Sequence, residues 1–228
     1  MDSVQASPET RPGTGAGLRR HVTVLFTEVW GSSEHAERLE AEEYAQLLDP
    51  FRRGAQDVIP RHGGSIARLQ GDGLLALFGH LAPRDDDGRR ATEAAVELHA
   101  AVAGLRVGSG ADATSLALRS GIHAGPVLLV EGDIARGRVD VVGEVPNTAA
   151  RLCSLAGGGE ILVSAQTLGS QARFFQVSER RRVPIRGRSS ALDVLHVLGR
   201  ASVEPRTDAS APADAILFWG DGAGPSSR

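Results

Sequence analysis

The sequence predicts an α+β fold: a ferredoxin-like βαββαβ core with a mixed or antiparallel sheet, helices on one side and additional C-terminal strands. Three observations carry this. Strand-like apolar runs alternate with helix-like segments from residue 19 to residue 198. Two of the strand-like runs flank a tight turn at Gly71-Asp72-Gly73, the signature of a hairpin. No linker long enough to separate two domains, and no internal repeat, interrupts the alternation.

Taken in order, HVTVLF (21–26) is a β-rich run. Residues 41–61 place Tyr44, Leu47, Leu48, Phe51, Ala55, Val58 and Ile59 at helical spacing. Ser65 to Leu69 and Leu74 to Phe78 form the hairpin strands. Residues 89–105 are an Ala-rich amphipathic helix. Leu116 to Ala124 and Val127 to Val130 are expected to pair around Gly125-Pro126, and Val139 to Val142 is a further strand. A helix over 146–156 begins at Pro146, where the first N–H groups are unpaired in any case. Strand-like pieces follow near 161–163, 173–177 and 191–197. Residues 1–18 and 199–228, rich in Ser, Pro, Thr and Gly, are expected to be a flexible lead and a flexible tail. The tail carries a short apolar patch, Ile216 to Trp219.

Composition narrows the function classes. The chain of 228 residues is 41% hydrophobic and 23% charged, ordinary for a globular domain. No apolar run approaches the roughly 20 residues of a membrane span, and the N-terminal segment lacks the apolar core of a signal peptide. The single cysteine, Cys153, excludes an internal disulfide and points to a reducing cytosol. A net charge of −3 and 4% aromatic residues argue against a nucleic-acid binder. All 25 basic residues are arginine, so any lysine-dependent role must be filled by another residue.

Candidate chemistry gathers in three places. Glu28, at the end of the first strand, and Asp72, at the hairpin tip, offer hard oxygen donors suited to Mg²⁺ with a substrate phosphate. Val29-Trp30-Gly31-Ser32-Ser33 precedes a helix, an arrangement that exposes backbone N–H groups to anions or forms an ordinary N-cap. In RVDVVGEVPNTAARL (138–152), Asn147 and Arg151 stand four apart on one helix face, after Asp140 on the preceding strand.

In order, HVTVLFTEVWGSS, RHGGSIARLQGDGLLALFG, LALRSGIHAGPVL, VDVVGEVPNTAARL, GEILVSAQTL and VPIRGRSSALDVLHVLG resemble the catalytic domain of the class III adenylate/guanylate cyclases, bacterial branch. The resemblance covers residues 19–198. It implies two metal-binding carboxylates for two Mg²⁺ (or Mn²⁺) ions. Asp72 matches one, and Glu28 replaces the usual aspartate at the other. The extra methylene moves that carboxylate by roughly 1–1.5 Å. The base-reading positions fall on Arg68, in place of lysine, and on Asp140. A donor and an acceptor in those places suit adenine, and also cytosine, better than guanine.

Asn147 and Arg151 match the pair that orients the ribose and stabilises the α-phosphate. The phosphate-binding segment matches Val29, Trp30, Gly31, Ser32 and Ser33, and a further basic position falls on Arg186, or on Arg188. The implied reaction is cyclisation of ATP to 3′,5′-cyclic AMP in a cytoplasmic homodimer with sites shared between subunits. The alternative is a degenerate cyclase-like module that binds nucleotide or a partner without turnover.

Overall fold

The computed structural model describes residues 18–107, 114–133, 138–185 and 190–201. The two tails, the Ile216 to Trp219 patch, Arg186 and Arg188 lie outside them. The elements in chain order are β1 (Leu18–Val29), α1 (Ser32–Arg38), α2 (Ala41–Arg61), β2 (Ser65–Gln70), β3 (Gly73–Phe78), α3 (Asp87–Val102), β4 (Arg106–Val107), β5 (Thr114–Ser115), β6 (Leu118–Asp133), β7 (Arg138–Val142), α4 (Glu144–Leu155), β8 (Ile161–Ser164), α5 (Ala165–Leu168), a 3₁₀ turn (Gly169–Phe174), β9 (Phe175–Val177), β10 (Arg181–Val183) and β11 (Leu192–Arg200).

The fold is α+β. The described residues form a nine-stranded sheet ordered β10-β11-β8-β6-β1-β3-β2, with β7 beside β6 and β9 beside β11. Its pairings are antiparallel except β6 with β8. The stretch β6-β1-β3-β2 is the ferredoxin-like core, and the C-terminal strands extend it beyond β6.

β1 lies at the centre because its sequence tolerates burial on both faces. Residues 22–25 are all buried, and adjacent residues of a strand point to opposite faces. Leu25 and Val29 join Leu48, Phe51, Ile59 and Leu98 from α2 and α3. Val22 and Val24 join Val145 and Ala149 of α4. Helices therefore cover both faces, not one. The two core helices share a face as expected, and α4 occupies the other. The α2 start is fixed by a reciprocal capping box between Glu40 and Glu43.

The pairing expected around Gly125-Pro126 is not a hairpin. β6 runs unbroken from Leu118 to Asp133, with His21 of β1 opposite Pro126. On its other side β6 pairs with β8 at Ser120–Ile122 and with β7 from Leu128 onward. Pro126 falls in the gap, where one side of the strand has no ladder partner among the described residues, and a missing N–H is tolerated there. The helix expected from Pro146 starts at Glu144, so the proline sits inside its first turn. Phe174 belongs to the 3₁₀ turn rather than to a strand, and β4, β5 and β10 lacked a readable pattern.

α4 approaches β6 most closely at Gly121. A Cβ there would lie 2.1 Å from the Ala149 carbonyl oxygen and 2.3 Å from the Cys153 nitrogen. Backbone cannot yield as a side chain can, so Gly121→Ala is expected to destabilise the domain by about 3 kcal/mol or more. The check is the urea midpoint with an unchanged m-value.

Candidate active site

The antiparallel registers bring the acidic residues together. Glu28 of β1 lies opposite Gly73 of β3, one residue from Asp72, and the Val29 N–H donates to the Asp72 carbonyl at 3.0 Å. On the other side Glu28 lies opposite Arg119 of β6. The Arg119 guanidinium donates through Nε and Nη2 to one oxygen of Glu28, Oε2, at 3.1 and 2.7 Å. The Ser32 hydroxyl, in the first turn of α1, donates to Asp72 Oδ2. Each carboxylate keeps one oxygen, Glu28 Oε1 and Asp72 Oδ1, outside these bonds. Two hard carboxylates one strand apart, each with such an oxygen, fit a divalent cation bound jointly with phosphate oxygens. Sequence reasoning missed Arg119, although a basic residue on the strand neighbouring an acid is a readable signal once the register is known.

The 29–33 segment divides. The N–H groups of Val29 and Trp30 are engaged within the fold, the second with the Ala117 carbonyl at 2.8 Å. Two of the backbone donors expected for phosphate therefore hold the loop instead. The Val29 side chain is buried in the core. Gly31 adopts φ 71°, a left-handed conformation that turns the chain from β1 into α1 and leaves Ser32 and Ser33 in its first turn.

A second constellation forms between β2, β3, β7 and α4. Arg68, Ala67, Phe26, Leu75, Val141, Pro146, Asn147 and Ala150 line a cleft of about 390 Å³ that also touches Val130 and Val142. Residues 67 and 68 both reach it because β2 is bulged. Ile66 pairs with Ala76 and Arg68 with Leu75, which leaves Ala67 as the extra residue. Asn147 is exposed, its amide 3.5 Å from the Gly143 carbonyl. Arg151 stands one turn further along α4, outside the lining. Asp140 is on β7, opposite Val130 of β6. Neither Glu28 nor Asp72 lines this cleft.

Beneath the acidic end lies a buried polar chain that the sequence did not announce. Thr27 Oγ1 and Ser120 Oγ are 2.8 Å apart, and His99 Nε2 is 2.8 Å from Ser120 Oγ. Burial pushes the His99 imidazole down to about 4, against a smaller upward pull from a backbone hydrogen bond with Gly159. The Cys153 thiol donates to the Arg119 carbonyl at 3.3 Å. It is pushed up to about 12 by burial first and the Glu28 charge second. It is therefore a packed apolar group and not a nucleophile.

This arrangement is that of a nucleotidyl cyclase domain. The sequence profile of the adenylate and guanylate cyclase catalytic domain matches residues 16–198, and the chain belongs to that family. Among its relatives, an uncharacterized protein of Mycobacterium tuberculosis is 33% identical over 173 residues, which are 72% of this chain and 28% of that protein. A second from the same organism is 29% identical over 208 residues, 86% of this chain and 36% of that one. The chain thus spans about a third or less of the length of these relatives. The crystal structure of the guanylyl cyclase Cya2 superposes with a TM-score of 0.73 at 30% identity, covering 83% of this chain and 98% of that one. The adenylyl cyclase CyaB of P. aeruginosa shares the fold, with a TM-score of 0.69 at 23% identity over 81% and 97% of the two chains. No helix among the described residues is long and apolar enough to cross a membrane.

The weak proton affinity of buried His99 makes the stability of the fold depend on pH. The folded chain binds this proton more weakly than the unfolded chain, whose histidine titrates near 6.5. His99 stabilisation is therefore complete above about pH 6.5 and lost as pH falls toward 4. Urea unfolding at pH 7 and pH 4.5 is expected to show the His99→Gln chain losing about 2–3 kcal/mol less than the native chain over that interval.

Proposed function

We propose that this domain converts ATP to 3′,5′-cyclic AMP and pyrophosphate at sites shared between two copies of the chain, in the cytoplasm. The observation that carries this reading is the separation of the two constellations. Arg68 and Asn147 line one cleft, and the carboxylates Glu28 and Asp72 stand outside it. A site that needs both is completed by a second chain contributing the other half.

In that site, the apolar walls of the cleft hold the base while Arg68 donates to a ring nitrogen. Asp140, carried on β7, accepts from the exocyclic amine. Asn147 orients the ribose and Arg151 stabilises charge developing on the α-phosphate. Ser32, Ser33 and the backbone of Gly31 meet the outer phosphates, and Arg186 supplies a further positive charge. Glu28 and Asp72 would hold Mg²⁺ or Mn²⁺, which acidifies the ribose 3′-hydroxyl and neutralises phosphate charge. Cytosine shares adenine's polarity at the two positions read, so CTP is the competing substrate. A second reading, a nucleotide-binding regulatory module without turnover, is favoured by one observation: Glu28 already has a cationic partner in Arg119.

Purified chain incubated with ATP, GTP, CTP and UTP in Mg²⁺ and in Mn²⁺ tests this. Cyclic AMP is expected, faster with Mn²⁺, because Mg²⁺ demands near-ideal octahedral geometry that the longer Glu28 disturbs. Arg151→Ala is expected to lower turnover on the order of a hundredfold. Mixing Asp72→Ala with Arg151→Ala chains should restore part of the rate. Nucleotide binding without cyclic product from any of the four triphosphates would transfer the function to the regulatory reading.

A further inference from the structure

Trp30 offers no backbone donor to the site described above, because its N–H is engaged by the Ala117 carbonyl. The indole lies against Arg119 and Gly158. The Arg119 guanidinium carbon lies 5.4 Å from the ring centroid. The ring also abuts Gly158, where a Cβ would come within 2.7 Å of Cδ1 and 2.9 Å of Cγ. The Gly158 loop is itself fastened to the strand that carries Arg119. The Gly159 N–H donates to the Leu118 carbonyl at 2.7 Å, and the Ser120 N–H to the Glu160 carbonyl at 3.0 Å. Trp30 is nevertheless 45% exposed, so core packing does not explain a large aromatic at this position. Among the described residues it stands against Arg119 and against the glycine that makes room for it.

We propose that Trp30 is a positioning residue that clamps Arg119 onto Glu28, and that the clamp sets the affinity of the Glu28/Asp72 pair for divalent cations. The inference rests on the cyclase reading for its purpose but not for its test. Glu28 and Arg119 are each 25% exposed, so their pair is only partly screened by water. A cation approaching Glu28 Oε1 meets the Arg119 charge already seated on Oε2, and it binds more tightly once Arg119 swings away. Arg119 is held against swinging by the face of the indole, because a planar cation is attracted by the ring quadrupole. Tryptophan is the aromatic that holds it best, and an aliphatic residue would not. Gly158 admits the ring at the needed distance.

The test is Mn²⁺ binding to the full chain, followed by the EPR signal of the free ion without nucleotide. Trp30→Leu is expected to tighten Mn²⁺ binding roughly two- to fivefold, the value of one exposed cation–π contact. Trp30→Phe, which keeps a ring face, should stay closer to the native chain. Gly158→Ala displaces the ring without deleting it and should reproduce the Trp30→Leu effect. Arg119→Gln should tighten binding more, and adding Trp30→Leu to it should change nothing further, as expected of residues acting in one unit. In a Trp219→Phe background Trp30 is the sole tryptophan, since the chain holds two, and its emission should shift as Mg²⁺ is added.

Mn²⁺ affinity that rises in Arg119→Gln but not in Trp30→Leu or Gly158→Ala would overturn the clamp. So would affinity unchanged in all variants, or no Mn²⁺ binding by any form. Thermal melts verify that each variant is folded, and Trp30→Phe and Gly158→Ala keep the comparison available if Trp30→Leu is not. If the affinities move as stated but no cyclic nucleotide is made from any triphosphate, the clamp stands and the cyclase reading fails.

Discussion

One strand buried on both faces governs this molecule. β1 packs Leu25 and Val29 toward α2 and α3, and Val22 and Val24 toward α4, while pairing along its length with β3 and β6. A strand so enclosed has little freedom of register, because a one-residue slip would exchange its two faces. Its last residues inherit that fixity. Glu28 is placed opposite Gly73 on one side and Arg119 on the other by the same ladders that build the core. The acidic end of the site is therefore positioned by backbone pairing, with side-chain bonds such as Ser32 to Asp72 adding orientation.

The electrostatics of that end follow from its partial burial. Thr27 and Ser120, the strand neighbours of Glu28 and Arg119, point to the opposite face of the sheet, where they are joined to His99 by short hydrogen bonds. Desolvation pushes the His99 imidazole toward its uncharged form. The cleft lined by Arg68 and Asn147 is built differently, bounded by a bulged strand and by the first turn of α4, with those two polar side chains set among apolar ones.

Much of this was readable in the residues. The β-rich run at 21–26, the helical spacing at 41–61 and the Gly71-Asp72-Gly73 turn encode local structure by period and turn chemistry, and they translate directly. What failed depends on neighbours distant in sequence. Gly125-Pro126 has the local grammar of a turn, but pairing with β1 across 12 residue pairs holds it extended. The order of elements predicts helices on one side only; that α4 covers the second face of β1 depends on contacts distant in sequence. That Glu28 and Asp72 could converge followed from a first strand ending beside the hairpin, and the four-residue spacing put Asn147 and Arg151 on one helix; their roles came only from the family resemblance. Arg119 and Trp30 were not recognised as partners of Glu28, because a cation–π contact and a cross-strand ion pair appear only when register is known.

The bulge at Ala67 has one more consequence. β2 is the last strand on its side of the sheet, and its outer backbone groups have no ladder partner among the described residues. A flat, regular strand there would offer a template for another chain to add itself edge to edge. The extra residue twists and interrupts that template at the position that carries Arg68. The irregularity that brings both Ala67 and Arg68 to the cleft thus also guards the molecule against indiscriminate strand addition.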